Sequence, residues 1–134
     1  MPIRRTVVVA LGLAAVLSAG CKGITTPSSN QTEPFSGTLQ PKGQNNHGFN
    51  VSRTGEVTVK LTAWAPNTQI FAGLALTFAS NDGSCTATRQ VNNFALLNQQ
   101  AMLDQLVSGK YCVVVFDPGT LTAAQTYTVT VSHP

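Results

Sequence analysis

From Glu56 to Trp64 the chain alternates between polar and apolar residues, and no other feature narrows the possible folds as much. Val57, Val59, Leu61 and Ala63 fall on one parity; Glu56, Thr58, Lys60 and Thr62 fall on the other. A period of two belongs to a strand with one buried face, because successive strand side chains point to opposite sides. The pattern recurs. In His47–Ser52 the residues His47, Phe49 and Val51 share a face, and Arg53-Thr54-Gly55 then predicts a hairpin into the next strand. Ile70–Phe78 is expected to turn Leu74, Leu76 and Phe78 inward and Gly73, Ala75 and Thr77 outward. Gln125–Ser132 sets Tyr127, Val129 and Val131 against Thr126, Thr128, Thr130 and Ser132. Phe35–Leu39, Cys85–Val91, Ala101–Val107 and the apolar run Lys110–Asp117 complete the set. Gly, Pro and Asn turns separate them, including Pro41–Asn46, Ser80–Ser84 and Pro118-Gly119. Asn92–Gln100 reads equally as loop or helix, since Phe94, Leu97 and Ala101 have helical spacing. About eight short strands without a long helix predict an all-β fold: an antiparallel β-sandwich, jelly-roll-like.

The first twenty-one residues read as an export address. Arg4 and Arg5 precede an apolar stretch, Thr6 to Gly20, too short for a membrane span of ~20 residues. The stretch closes on Leu17-Ser18-Ala19-Gly20-Cys21, which resembles the bacterial lipobox. Ser18 stands where that motif usually has Leu, and Leu17 lies one residue further back. The resemblance implies cleavage before Cys21 and lipidation of its thiol, a membrane anchor that does not span the bilayer. Lys22 stands where an Asp favours inner-membrane retention in proteobacterial lipoproteins, which points to the outer membrane. The expected organisation is a signal peptide at 1–20, a lipidated cysteine and flexible tether at 21–33, and a sandwich domain at 34–134. The tether, rich in Ser, Thr, Asn and Gln, has too few apolar groups to offset the entropy of ordering.

Composition narrows the function. The chain carries eight Lys and Arg against five Asp and Glu, a net charge of +3. Arg4 and Arg5 belong to the leader, so the mature chain is nearly neutral and carries no basic stripe for nucleic acid. With Cys21 committed to lipid, Cys85 and Cys112 remain in an exported domain. They lack CxxC spacing and a second Cys/His cluster, so a structural disulfide is expected rather than a metal or redox pair.

His47–Trp64 (HGFNVSRTGEVTVKLTAW), Ser108–Asp117 (SGKYCVVVFD) and Tyr127–Val131 (YTVTV) together resemble the bacterial pre-peptidase C-terminal domain, a small β-sandwich of exported proteins. The resemblance implies a non-catalytic companion module. Some relatives bind calcium through carboxylates near the start of the domain, where this chain has only Glu33, so calcium is not implied here.

Candidate chemistry is sparse. His47 and Asp117 occur with many serines, but no G-x-S-x-G frame surrounds a nucleophile, and no catalytic residue or cofactor is assigned. His133 is expected to fray with the terminus. Asp82, Asp104 and Asp117 lie beside separate turns or strands, without sign of convergence. Asn81, Asp82 and Asp117 carry oxygens suited to Ca²⁺, yet Asn-Asp-Gly reads first as a turn, and no metal site is assigned. Trp64 falls on the polar parity: it either offers a ring to a sugar or covers the sandwich edge under the Pro66 loop, and a single aromatic favours the latter. The expectation is a membrane-tethered, non-catalytic binding or structural module of the cell envelope, with a protein or glycan partner. The alternative is a carbohydrate-binding or small hydrolytic lipoprotein using Trp64 with Asp82 or Asp117.

Overall fold

A computed structural model describes residues 29–134. The proposed leader, Cys21 and most of the tether lie outside the described residues. Eight strands follow in order: β1 (Gln31–Leu39), β2 (Gln44–Val51), β3 (Gly55–Ala65), β4 (Ala72–Ala79), β5 (Cys85–Ala95), β6 (Gln100–Leu106), β7 (Gly109–Phe116) and β8 (Gln125–His133). They form two four-stranded sheets, β1-β8-β3-β6 and β2-β7-β4-β5, and every neighbouring pair is antiparallel.

The topology is that of a ribbon folded in half. Strand β4 pairs with β5, β3 with β6, β2 with β7 and β1 with β8. The fold-back point is the Ser80–Ser84 turn. The β3–β8 and β4–β7 ladders then roll the double ribbon into two layers, which is the jelly roll. Between the layers sit Val57, Val59 and Leu61 of β3, Leu74 and Leu76 of β4, Val113 and Val115 of β7, and Val129 and Val131 of β8, all at most 1% exposed. Each follows the period of two expected of a half-buried strand.

Four features depart from the sequence expectation. First, β2 and β3 are not a hairpin: β2 pairs with β7 and β3 with β6 and β8, so residues 52–54 cross from one sheet to the other. Two inward-facing apolar rows can face one another across a sandwich as readily as they can lie side by side. Second, the β3–β8 register shifts between Leu61 and Ala63, a bulge that flips the following parity. Ala63 therefore turns outward and Trp64 turns into the core at 2% exposure. Third, Phe78 is exposed, while Ala75 and Thr77, on the side expected to face solvent, are buried. Fourth, Asn92–Gln100 is neither helix nor long loop: Asn92–Ala95 extends β5, a short turn follows with Asn98 at a φ of 63°, and Gln100 opens β6.

Strand limits move as well. The stretch Gln31-Thr32-Glu33, expected as tether, is the start of β1, because Val131, Ser132 and His133 of β8 offer it a ladder. Gln44-Asn45-Asn46, expected as turn, opens β2 against Val114, Val115 and Phe116. His133 is not frayed. It is wholly buried, its Nε2 is 2.8 Å from Glu33 Oε1, and its ring packs on Phe49. Ser52 N–H donates to the Pro134 carbonyl and ties down the same end.

Cys85 and Cys112 form the disulfide, with Cα atoms 5.8 Å apart, and it joins the start of β5 to the middle of β7. Cross-linking residues 27 apart removes roughly 3–4 kcal/mol of denatured-chain entropy. The double substitution Cys85→Ser/Cys112→Ser is expected to lower the urea-unfolding free energy by about that amount, with the β-sheet circular dichroism spectrum retained in water. A loss below about 1 kcal/mol would show that the staple constrains little.

Candidate functional site

The two carboxylates singled out in the sequence are held apart. Asp82 lies in the turn after β4 and Asp117 follows β7; these strands are antiparallel, with Phe78 opposite Tyr111 and Gly73 opposite Phe116. The residues therefore sit at opposite ends of the sandwich, roughly 25 Å apart at ~3.3 Å per strand residue. Both carboxylates are occupied by turns. Asp82 Oδ1 accepts from Ser80 Oγ, from Ser84 N at 3.0 Å and from Ser84 Oγ at 2.7 Å, which together hold its pKa at about 2. Asp117 Oδ2 accepts from Lys42 N at 2.8 Å, and Oδ1 accepts from the N–H groups of Gly119, Thr120 and Leu121. Partial desolvation pushes the Asp117 pKa up, and the backbone donors outweigh it and hold the group below the ordinary carboxylate value.

Trp64 does not join either acid in an open site. Its Nε1–H donates to the Ile70 carbonyl at 2.9 Å, beneath the β3–β4 loop. Gln125, 2% exposed, clamps that loop by accepting from Asn67 N and donating to Asn67 O. Asp104 pairs with Arg89 at 3.0 Å. Among the described residues no group of three or more His, Cys, Asp and Glu side chains converges to hold a metal ion.

The concave surfaces lie elsewhere, on the flank formed by the β2 sheet. The first is a trough of about 270 Å³ on its outer face. The central strands β7 and β4 supply the floor: Val114, Ala75 and Thr77 point away from the main core, yet each is at most 7% exposed. The edge strands supply the walls, Gln44 and Asn46 from β2 and Thr86 and Thr88 from β5. Register shifts at three places in the β4–β5 ladder bend β5, and the disulfide links its start to β7 across β4. Phe116 lines the trough at the end where it pairs with Gly73. A Cβ on Gly73 would lie 2.4 Å from the Phe116 ring, so only glycine lets the ring rest on the sheet.

The second surface is an open groove of about 510 Å³ between the edge strands β1 and β2, and it shares Gln44 and Asn46 with the trough. Its base holds His47 and Tyr127, whose Nε2 and hydroxyl share a 2.7 Å hydrogen bond. The His47 ring stacks on Phe35 at 5.2 Å. Gly37 makes room for the Tyr127 ring, because a Cβ there would lie 2.7 Å from its hydroxyl. Burial lowers the His47 pKa and raises that of Tyr127, so both are uncharged at neutral pH. The trough has no ionisable side chain in its lining, its cysteine being bonded. The joined surface is therefore neutral, polar and continuous through Gln44 and Asn46.

The sequence did not point to Phe116, Thr77, Gln44 or Asn46 as site residues. A glycine opposite an outward phenylalanine is the signal for the Phe116 position, and it becomes visible only once β4 and β7 are in register. No protein-family model matches the chain, and no curated protein matches it.

Asp117→Ala is expected to cost about 2 kcal/mol in urea unfolding at pH 7, because four backbone N–H groups lose a charged acceptor. Because the folded pKa lies below the unfolded one, this stabilisation is full above pH ~4 and fades as pH falls through the folded value. The difference between variant and parent should therefore shrink toward pH 2; a constant difference would contradict the assignment. His47 behaves with the same sign at higher pH. Its unfolded form takes up protons from pH ~6.5 downward while the buried ring resists, so stability drops below that pH. His47→Gln should flatten that part of the melting-temperature profile between pH 7.5 and 5.5.

Proposed function

We propose that the chain is a membrane-tethered, non-catalytic binding module of the cell envelope, anchored in the outer membrane by a lipid on Cys21 and similar in role to the pre-peptidase C-terminal domains it resembles. The observation that carries this reading is the neutral surface joined through Gln44 and Asn46, whose side-chain amides make no hydrogen bond within the described residues. Free amides on adjacent outward positions of an edge strand suit recognition of a polar, uncharged partner. The surface is supported on rigid strands, which hold side chains more accurately than loops do. The two carboxylates that would otherwise be candidates for hydrolysis serve turns at opposite ends of the sandwich.

The tether fits this role. Residues 22–30 lie between Cys21 and the first residue of β1. Arg53 already holds Ser29, and Asn30 donates to the Glu56 carbonyl, so residues 22–28 separate the proposed anchor from the domain.

Mass spectrometry of the membrane fraction is expected to find an acylated N-terminal Cys21, and Cys21→Ser should move the protein to the soluble fraction. An unmodified Cys21 in mature soluble protein would refute the anchor. The full chain in vesicles is expected to co-sediment with isolated envelope material from its own cell, and Gln44→Ala/Asn46→Ala should weaken this at least tenfold. Equal sedimentation of parent and variant would remove the joined surface as the binding face.

A further inference from the structure

We propose that the trough on the outer face of the β2-β7-β4-β5 sheet is a subsite for one neutral sugar ring of an uncharged polysaccharide. This rests on the binding-module reading and adds the ligand class and the residues that recognise it.

Size and lining select the ligand. About 270 Å³ falls just below the ~300–1,000 Å³ of pockets for drug-sized molecules, which leaves room for one ring-sized unit. A charged ligand would lose hydration against a lining with no counter-charge. A wholly apolar ligand would strip water from Gln44, Asn46 and Thr88 and return no hydrogen bond. A sugar ring meets both demands: its hydroxyls match amides and hydroxyls, and its C–H faces pack on an aromatic ring. Phe116 supplies that ring at one end of the trough, over a floor of Val114, Ala75 and the disulfide.

Thr77 gives the second, independent indication. It lines the trough, is 4% exposed, and its Oγ1 has no hydrogen-bond partner among the described residues. A buried hydroxyl left unpaired is costly, and a hydroxyl on the bound ring would supply the missing partner. A peptide added as an extra strand does not fit this place. The floor strands β7 and β4 each have hydrogen-bonded neighbours on both sides, so they present no free edge.

The test is affinity electrophoresis of the full chain, solubilised in detergent, through gels containing laminarin, galactomannan or soluble starch, with polygalacturonate as the charged comparator. At least one neutral glycan should retard the protein and polygalacturonate should not. Thr77→Val, which keeps the side-chain shape, and Phe116→Leu should each weaken retardation at least fivefold, with unchanged circular dichroism. Thr58→Ala, on the outer face of the opposite sheet, should change it less than twofold. Retardation unaffected by both Thr77→Val and Phe116→Leu would place any sugar elsewhere and overturn the subsite. Retention of envelope material without retardation by any neutral glycan, or with retardation by polygalacturonate alone, would overturn the sugar and leave the binding module standing. A peptide that displaces envelope material where no glycan does would have the same consequence. Loss of both kinds of binding would overturn both.

Discussion

The antiparallel pairing of the first half of the chain with the second is the constraint on which the rest of the structure depends. Every strand from β1 to β4 finds a ladder partner from β8 to β5 in reverse order. These contacts are mostly far apart in sequence, so their loop-closure cost has to be recovered by burial. Rolling the ribbon achieves this by facing Val57, Val59, Leu61, Val129 and Val131 with Leu74, Leu76, Val113 and Val115. The terminal pair, β1 with β8, is held by Glu33 and His133 as well as by the ladder. A histidine that looked like a frayed end is thus part of the closure of the barrel-like core.

The outer face of the second sheet follows from the same ladders. Unbroken register between β4 and β5 would leave that face an evenly twisted sheet. Slippage at three points bends β5, and the Cys85–Cys112 bridge secures the bend. The consequence is a small second apolar cluster of Ala75, Cys112 and Val114, outside the main core and flanked by unpaired amides and hydroxyls. A disulfide that the sequence suggested only as a staple thereby also borders a hollow lined by polar side chains.

Much of the fold was legible in the residues. Strand identities, the inward rows of β2, β3 and β8, and the cysteine pair all followed from period and count. The site was hardly legible. Trp64 packs under the Pro66 loop as a lone aromatic suggests, but its parity is not readable, because one bulge inverts it without leaving a mark in composition. Asp82 and Asp117 drew notice as scarce acids, yet their hydrogen bonds are to turn backbone. Thr77 and Phe116 look like ordinary strand residues until their neighbours across the sheet are known.

The sequence by itself determined that this chain would be all-β, because alternation of period two lets only a strand bury one side chain in two. It also determined that residues 29–134 are balanced in charge, with five Lys and Arg against five Asp and Glu. Only the tertiary structure decided which rows share a sheet and which face each other, because an alternating pattern is satisfied equally by a neighbour beside it or a layer opposite it. It likewise decided where a concave surface forms, because concavity here comes from register slips and a cross-strand bond between residues 27 apart, and neither acts until the ladders exist.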